Sequence, residues 1–287
     1  MRKPPVGARI NLAHPLGRDC VVCVPFNDGA GAPSILTGIT PTGVPLVGSS
    51  VRQERLTLIS APSWGSNHEG PCGVLDTSTQ GWRFDNDLWL PTLACTMCII
   101  RRKRAAVNLG SSVGPGGDSN TYAFNVLLPF GDGSIYWDFG GWAGANRLSV
   151  GGLSFAITNI DRWVFTAGPK GSAIYQNGKK VASQGTAITR TTADLPFKLE
   201  TVDTADWGYF AIHNTQWSED QAQWWSVEPY AGLYVPTVRR YLFVGSSSTV
   251  VLPPKKGGKK GSGVGGKDLY GPTLTVPWDS VNTFGSG

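Results

Sequence analysis

The chain has 287 residues, 38 glycines, 20 prolines and only 16% charged side chains, which excludes a helical bundle or coiled coil and suits many short strands and turns. Its length fits one large β domain with tails, since β-sandwiches run past 200 residues as a single domain. A formal net charge of +5 permits contact with an acidic surface but does not mark a nucleic-acid binder.

Taken in order, residues 1–18 read as an extended N-terminal arm with Pro4-Pro5 and few apolar positions. Residues 19–27 form a strand, 28–33 a Gly-rich turn, and 35–51 loops with short strands. Residues 55–60 alternate as a strand, and 61–73 read as a loop holding Trp64, His68 and Cys72. Residues 92–102 are almost continuously apolar, as a strand buried on both faces would be, and end in Arg101-Arg102-Lys103-Arg104. Residues 105–120 are polar and Gly-rich. Strands at 121–128 and 134–139 flank Gly131-Asp132-Gly133, a loop at 140–146 carries Trp142, and strands follow at 147–150 and 153–157.

The densest signal is DRWVFTAGPKGSAIYQNGKKVASQG, residues 161–185. Arg162 to Ala167 is rich in aromatic and β-branched residues, and Gly168-Pro169-Lys170-Gly171 breaks it. Asn177-Gly178 then sits between two strand-like runs. A type I′ turn needs φ > 0 at both central residues, so this pair predicts a hairpin in which Tyr175 faces Lys180 and Ile174 faces Val181. Further strands follow at 197–201 and 207–217. Ser218 to Gln221 is a capping box that opens one short helix, ending near Val227 before Pro229.

This order of elements resembles the concanavalin A-like lectin and laminin-G sandwich. The resemblance includes CVVCVPFNDGAG from Cys20, DGSIYWDFGG from Asp132, and YFAIHNTQWSEDQAQWWSVEPYAGLY from Tyr209. It covers residues 5–241 and is strongest to versions in bacteriophage structural proteins. It implies an all-β, lectin-like jelly-roll sandwich with one short helix and extended arms. The expected domains are an arm at 1–18, the sandwich at 19–252, a Lys/Gly linker at 253–267 and a docking peptide at 268–287.

The linker PPKKGGKKGSGVGGK is flexible and basic. Beyond it, Leu269, Tyr270, Leu274, Val276, Trp278 and Phe284 are apolar anchors on a peptide too short to bury its own core, which suggests docking on another subunit. The expected function is therefore a phage virion structural protein. It would be a capsid decoration or surface-attachment protein whose partners are other virion proteins of a capsid or tail lattice. The alternative is a carbohydrate-binding host-attachment module that takes cell-surface glycans. A glycoside hydrolase is the third reading. The arms are compatible with a homo-oligomer. The N-terminus lacks the apolar stretch of a secretory signal and no apolar run is long enough to span a bilayer. The expected location is thus a virion surface after synthesis in a host cytoplasm.

Trp64, Trp89 and Trp142 are the glycan-stacking candidates, each also explained by packing. Asp85, Asn86, Asp87 and Asp132 are candidate calcium ligands, with turn chemistry as the competing explanation; no other cofactor is expected. Cys20-x-x-Cys23 and Cys95-x-x-Cys98 have metal-ligand spacing. Each pair lies in a strand, where i and i+3 point to opposite faces, so buried free thiols are expected. The odd count of five cysteines also argues against a disulfide framework. The five glutamates, Glu54, Glu69, Glu200, Glu219 and Glu228, form no alternating carboxylate run of the kind glycosidases use, so no enzyme is expected. His213 alternates with Phe210 and Ile212 and reads as a sheet-surface residue. Arg101 to Arg104 reads as a solvated strand end.

Overall fold

The computed structural model of the chain describes residues 3–6, 8–37, 54–67, 69–77, 79–84, 90–104, 111–115, 124–142, 144–153, 159–190, 197–201, 204–234, 249–250 and 274–275. The chain forms two compact units, residues 1–236 and 237–287. In the second unit, Thr249–Val250 pairs antiparallel with Leu274–Thr275. The other anchors expected there, Leu269, Tyr270, Val276, Trp278 and Phe284, lie outside the described residues.

The first unit is an all-β, lectin-like jelly-roll sandwich with, among the described residues, one α-helix. One sheet runs Arg147–Val150, Ile135–Phe139, Phe124–Leu127, Ser111–Pro115, Phe197–Thr201, Gly81–Arg83, Thr57–Ile59. The other runs Lys179–Gln184, Gly171–Gln176, Ile160–Gly168, Cys95–Lys103, Ala205–His213, Cys20–Val24, Ser34–Thr37, Glu54–Arg55. A hairpin of Ser63–Asn67 and Gly70–Leu75 also pairs with Ala205–His213.

Alternation along each strand builds the core. Across the first sheet, Leu148, Trp137, Val126, Val113, Leu199 and Trp82 are register partners on the inner face. The second sheet answers with Met97, Ile99, Phe165, Trp207, Phe210 and Ile212 in the same cluster. Gly73 is a close approach: a Cβ there would lie 2.7 Å from Trp82 and 2.8 Å from Phe26. The outer face of the second sheet is not wet. Cys98, Ile100, Val164, Tyr209 and Ala211 pack beneath Trp217 and the helix residues Ala222 and Trp225. That two-sided cover is why Cys95–Lys103 reads as continuously apolar.

The helix, Glu219–Val227, starts at Ser218 with the expected capping box: the Gln221 amide N–H donates to Ser218 Oγ at 3.3 Å, and the Ser218 N–H donates to Gln221 Oε1 at 3.0 Å. Thr96 ties the approach to this helix onto the sheet. Its hydroxyl donates to the Thr215 carbonyl at 2.7 Å and accepts from the Trp217 N–H at 3.0 Å.

The predicted hairpin turns at Asn177-Gly178, with φ of 51° and 82°. Tyr175 faces Lys180 as expected. Ile174, however, pairs with Ala182, because a register shift between Ile174 and Tyr175 leaves Val181 as an extra residue. Three other expectations need correction. Residues 61–73 are not a loop but contain the Ser63–Asn67 strand and the start of Gly70–Leu75. Ser111–Pro115 is a strand within the Gly-rich stretch, central in its sheet. The strand expected at 207–217 is Ala205–His213. Residues 154–158, within the strand expected at 153–157, lie outside the described residues.

The N-terminal segment lies along the body. Lys3 Nζ donates to the carbonyls of Phe26 (3.2 Å) and Pro71, and burial lowers its pKa to about 8. Arg9–Ile10 pairs with Leu233–Tyr234. Nearby, Glu69 is only 2% exposed, accepting from Arg162 at 2.6 Å and from the Tyr230 hydroxyl at 3.1 Å. Replacing Gly178 with valine forces a β-branched residue into φ 82° and brings its Cβ to 3.3 Å from Ser226 Cβ. The expected loss is about 1–3 kcal/mol, read as a lower melting temperature in a cooperative unfolding curve.

Candidate functional site

Most aromatic side chains of the first sheet point inward, so those held outward stand apart. Along Ile135–Phe139, Ile135, Trp137 and Phe139 enter the core while Tyr136 and Asp138 take the opposite face. Arg147, the register partner of Asp138, holds it with two parallel bonds, Nε to Oδ1 at 2.6 Å and Nη2 to Oδ2 at 2.7 Å. Burial pushes the Asp138 carboxyl above its ordinary pKa, and the Arg147 bonds oppose that shift.

The Arg147 guanidinium lies 4.6 Å from the centre of the Tyr136 ring. The Tyr136 hydroxyl donates to Asp132 Oδ2 at 2.5 Å, and the Ser134 N–H donates to Asp132 Oδ1 at 2.8 Å. These two bonds, the Tyr136 one first, hold the Asp132 pKa below its usual value. Phe130 meets the Tyr136 ring edge-on at 5.7 Å and stays 46% exposed. Its own turn is closed by the Phe130 N–H to the Ser134 carbonyl at 2.7 Å and the Gly133 N–H to the Phe130 carbonyl at 2.9 Å. Ser149, opposite Tyr136, and the following Gly151 and Gly152 are exposed. The result is a pre-oriented aromatic pair with a guanidinium over one face of Tyr136, which leaves Phe130 and the remaining Tyr136 surface to a ligand. It can stack against the apolar face of a ring-shaped ligand while polar groups bond its rim.

The residues singled out from sequence separate. Trp142 is 47% exposed in the loop after Phe139, whereas Phe130 precedes Ile135, so the two stand at opposite ends of that strand. Trp64 is partly buried against the main core and donates from Nε1 to the Gly31 carbonyl at 2.6 Å. Asp132 is engaged inside its own turn. Trp89, Asp85, Asn86 and Asp87 lie outside the described residues. Among the described residues no group of three or more His, Cys, Asp or Glu is placed to hold a metal. Phe130, Tyr136 and Arg147 carry no sequence motif of their own. The alternation of IYWDF shows two faces but does not say which is covered.

All five cysteines are free and buried. The opposite-face argument holds for Cys95, in the inter-sheet core, and Cys98, beneath the helix. It fails for Cys20 and Cys23. Ile212 pairs with Val22 but His213 with Cys20, so Val21 is an extra residue that turns both thiols to the helix side. Burial raises these thiols, that of Cys23 to about 12, which makes them poor nucleophiles.

The basic run is solvated only at alternate positions, Arg102 and Arg104. Arg101 and Lys103 are buried, Arg101 donates to the Leu128 carbonyl, and Arg102 holds Asp206 through Nε at 2.7 Å. His213 is likewise not on the surface. It is 1% exposed with its ring 4.4 Å from that of Trp217, and burial lowers its pKa to about 3.

No protein-family model matches the sequence, and no curated protein matches it significantly. Solved structures do share the fold. One is the binding domain of Paraclostridial Mosquitocidal Protein 1, at 12% identity and TM-score 0.52, covering 75% of this chain and 53% of that one. Another is the receptor binding domain of botulinum neurotoxin D, at 10% identity and TM-score 0.53, covering 75% and 54%. The chain thus spans about half the length of these two. A third is domain 4 of AbnA, a GH43 extracellular arabinanase from Geobacillus stearothermophilus, in complex with arabinotriose. It is 11% identical with a TM-score of 0.50, covering 71% of this chain and 97% of that one. At these identities the likeness establishes the β-sandwich.

His213 generates a pH test. Between its ordinary value of 6.5 and about 3, the unfolded chain takes up a proton that the folded chain refuses. Stability therefore falls as pH falls through that window. The wild type should lose more melting temperature between pH 6.5 and 4 than His213→Phe does. Parallel curves would refute this.

Proposed function

We propose that this chain is a non-catalytic β-sandwich binding module whose ligand is a carbohydrate, presented to it on the face built by Phe130, Tyr136 and Arg147. The observation that carries this reading is the exposed, edge-on Phe130–Tyr136 pair, held in place by Asp132 and Arg147. An aromatic pair left half-wet in a sheet that buries Trp82 and Trp137 has the form of a sugar platform. The neighbouring structures add support by their own descriptions, receptor binding in one and an arabinotriose complex in another. Catalysis has little support. Glu69, Glu219 and Glu228 are each engaged, by Arg162, Lys180 and Trp224. Calcium stays a proposal through Asp85, Asn86, Asp87 and Asp132, the last of which also accepts within its own turn.

The place of action we infer is a phage virion, with the module displayed on a capsid or tail lattice. The sequence resemblance supports this, as does the basic Lys/Gly stretch followed by aromatic anchors in residues 253–287. Host-surface glycans and neighbouring virion proteins are then two partners of one chain.

Two experiments test these readings. On a glycan array, Tyr136→Ala and Phe130→Ala should each weaken binding by on the order of 2 kcal/mol, the scale of an aromatic hot spot, while leaving the melting temperature close to wild type. Unchanged binding by both variants would remove this face from consideration. Truncation after Leu252 should leave the sandwich folded while occupancy on purified particles drops. Full occupancy without the tail would make it a passive extension.

A further inference from the structure

The Asn177-Gly178 turn has a chemistry that folding alone does not use. Asn-Gly is the dipeptide most open to imide formation, because glycine carries no side chain to hinder its backbone nitrogen. This is the single Asn-Gly pair in the chain. We propose that Asn177-Gly178 is a latent site of spontaneous deamidation, held shut in the folded protein by a clasp from Asp161 and Arg162.

The reaction needs the Gly178 backbone nitrogen to attack Asn177 Cγ. That nitrogen gives up its proton, ammonia leaves from Cγ, and a five-membered imide forms. Water then opens the imide at either carbonyl, giving aspartate or isoaspartate. The net change is one water in and one ammonia out, with no oxidant or cofactor.

In the fold both polar atoms of the Asn177 side chain are engaged. Its Nδ2 donates to Asp161 Oδ1 at 2.9 Å, and its Oδ1 accepts from the Arg162 N–H at 2.8 Å. Its backbone N–H donates to the Arg162 carbonyl at 2.7 Å. For Cγ to reach the Gly178 nitrogen, the side-chain bonds must break. Burial is not the barrier: Asn177 lines a solvent-open groove of about 490 Å³ between the turn and the helix, with Lys179, Lys180, Glu219, Gln223 and Val227. Water is at hand, and the clasp holds the side chain that carries the carbonyl carbon.

Conversion would undo the clasp. An aspartate at 177 sets a carboxylate against Asp161, which is buried and already raised in pKa by that burial. Isoaspartate inserts an extra backbone atom into a turn that sets the Lys179–Gln184 register and rests on Ser226 of the helix. The site is thus an irreversible switch, operated by whatever loosens the turn.

The test follows the peptide carrying Asn177 by mass spectrometry during incubation at mildly alkaline pH. Folded wild type should lose its amide about tenfold more slowly than the same chain in urea, a factor within reach of two ordinary hydrogen bonds. Asp161→Ala should convert at close to the unfolded rate while its melting remains cooperative, and Asp161→Asn, which keeps an acceptor oxygen, should stay protected. Asn177→Asp should melt below wild type, and Asn177→Gly, which suits the turn but cannot convert, should give no product. Equal rates in folded and urea-unfolded wild type would overturn the proposal. So would an Asp161→Asn chain that converts as fast as a folded Asp161→Ala chain. The comparison of folded with urea-unfolded wild type stands even where a variant fails to fold.

Discussion

Burial of both faces of three central strands organises the body. Ile160–Gly168, Cys95–Lys103 and Ala205–His213 lie side by side, and each sends alternate residues into two separate apolar clusters. One cluster is the space between the sheets. The other is closed by a single helix and the residues around it. A strand buried on both sides has no wet face, so a polar group there is costly unless paired in place; among the described residues Trp207 Nε1 and the His213 ring nitrogens bear that cost unpaired, whereas other groups avoid it. Thr96, Glu69 and Arg162 show how: a hydroxyl that takes two backbone partners, and a carboxylate shared by a guanidinium and the Tyr230 phenol. Removing one partner of such a buried pair costs more than the pair itself contributes, because it strands the other.

The helix depends on the same arrangement. Its exposed residues include Gln223, Trp224 and Val227, while Ala222 and Trp225 share a cluster with Tyr209 and Cys98. It also touches the hairpin: Arg162 donates to the Ser226 carbonyl at 2.5 Å, and Ser226 lies against Gly178. Turn, helix and buried carboxylate are therefore one mechanical unit, and the chemistry of Asn177 is coupled to it. The proposed ligand face lies on the other sheet, towards the edge strand Arg147–Val150. There Phe130 projects into solvent and short residues stand beside Tyr136. A perturbation of the helix region should leave this face intact, because the two share no side chain.

The strength of the candidate face is orientation. Tyr136 is constrained through its hydroxyl by Asp132 and through its ring by Arg147, and Arg147 is constrained by Asp138. Ordering a free tyrosine on binding costs entropy; here that cost is met on folding. The same logic gives the acid at 132 a role inside its turn, where it accepts from the Ser134 N–H and orients the Tyr136 hydroxyl.

Local rules were legible in the amino-acid sequence. Asn177-Gly178 had to turn because the type I′ geometry admits few other pairs, and Ser218 with Gln221 had to open a helix because each satisfies the other's free N–H. The nearly unbroken apolar run at 92–102 announced a strand covered on both sides, which the structure places at Cys95–Lys103. Other features were decided only by the assembled sheets. Alternation defines two faces but does not say what lies over either, so His213, Arg101 and Lys103, which read as solvent-facing, are buried. A bulge of one residue is invisible in a sequence, yet it turns Cys20 and Cys23 to the same side and moves Ile174 from Val181 to Ala182. The candidate site has the same cause. Phe130, Tyr136 and Arg147 meet through a turn and a cross-strand register, and register is chosen by the whole core, not by any one stretch.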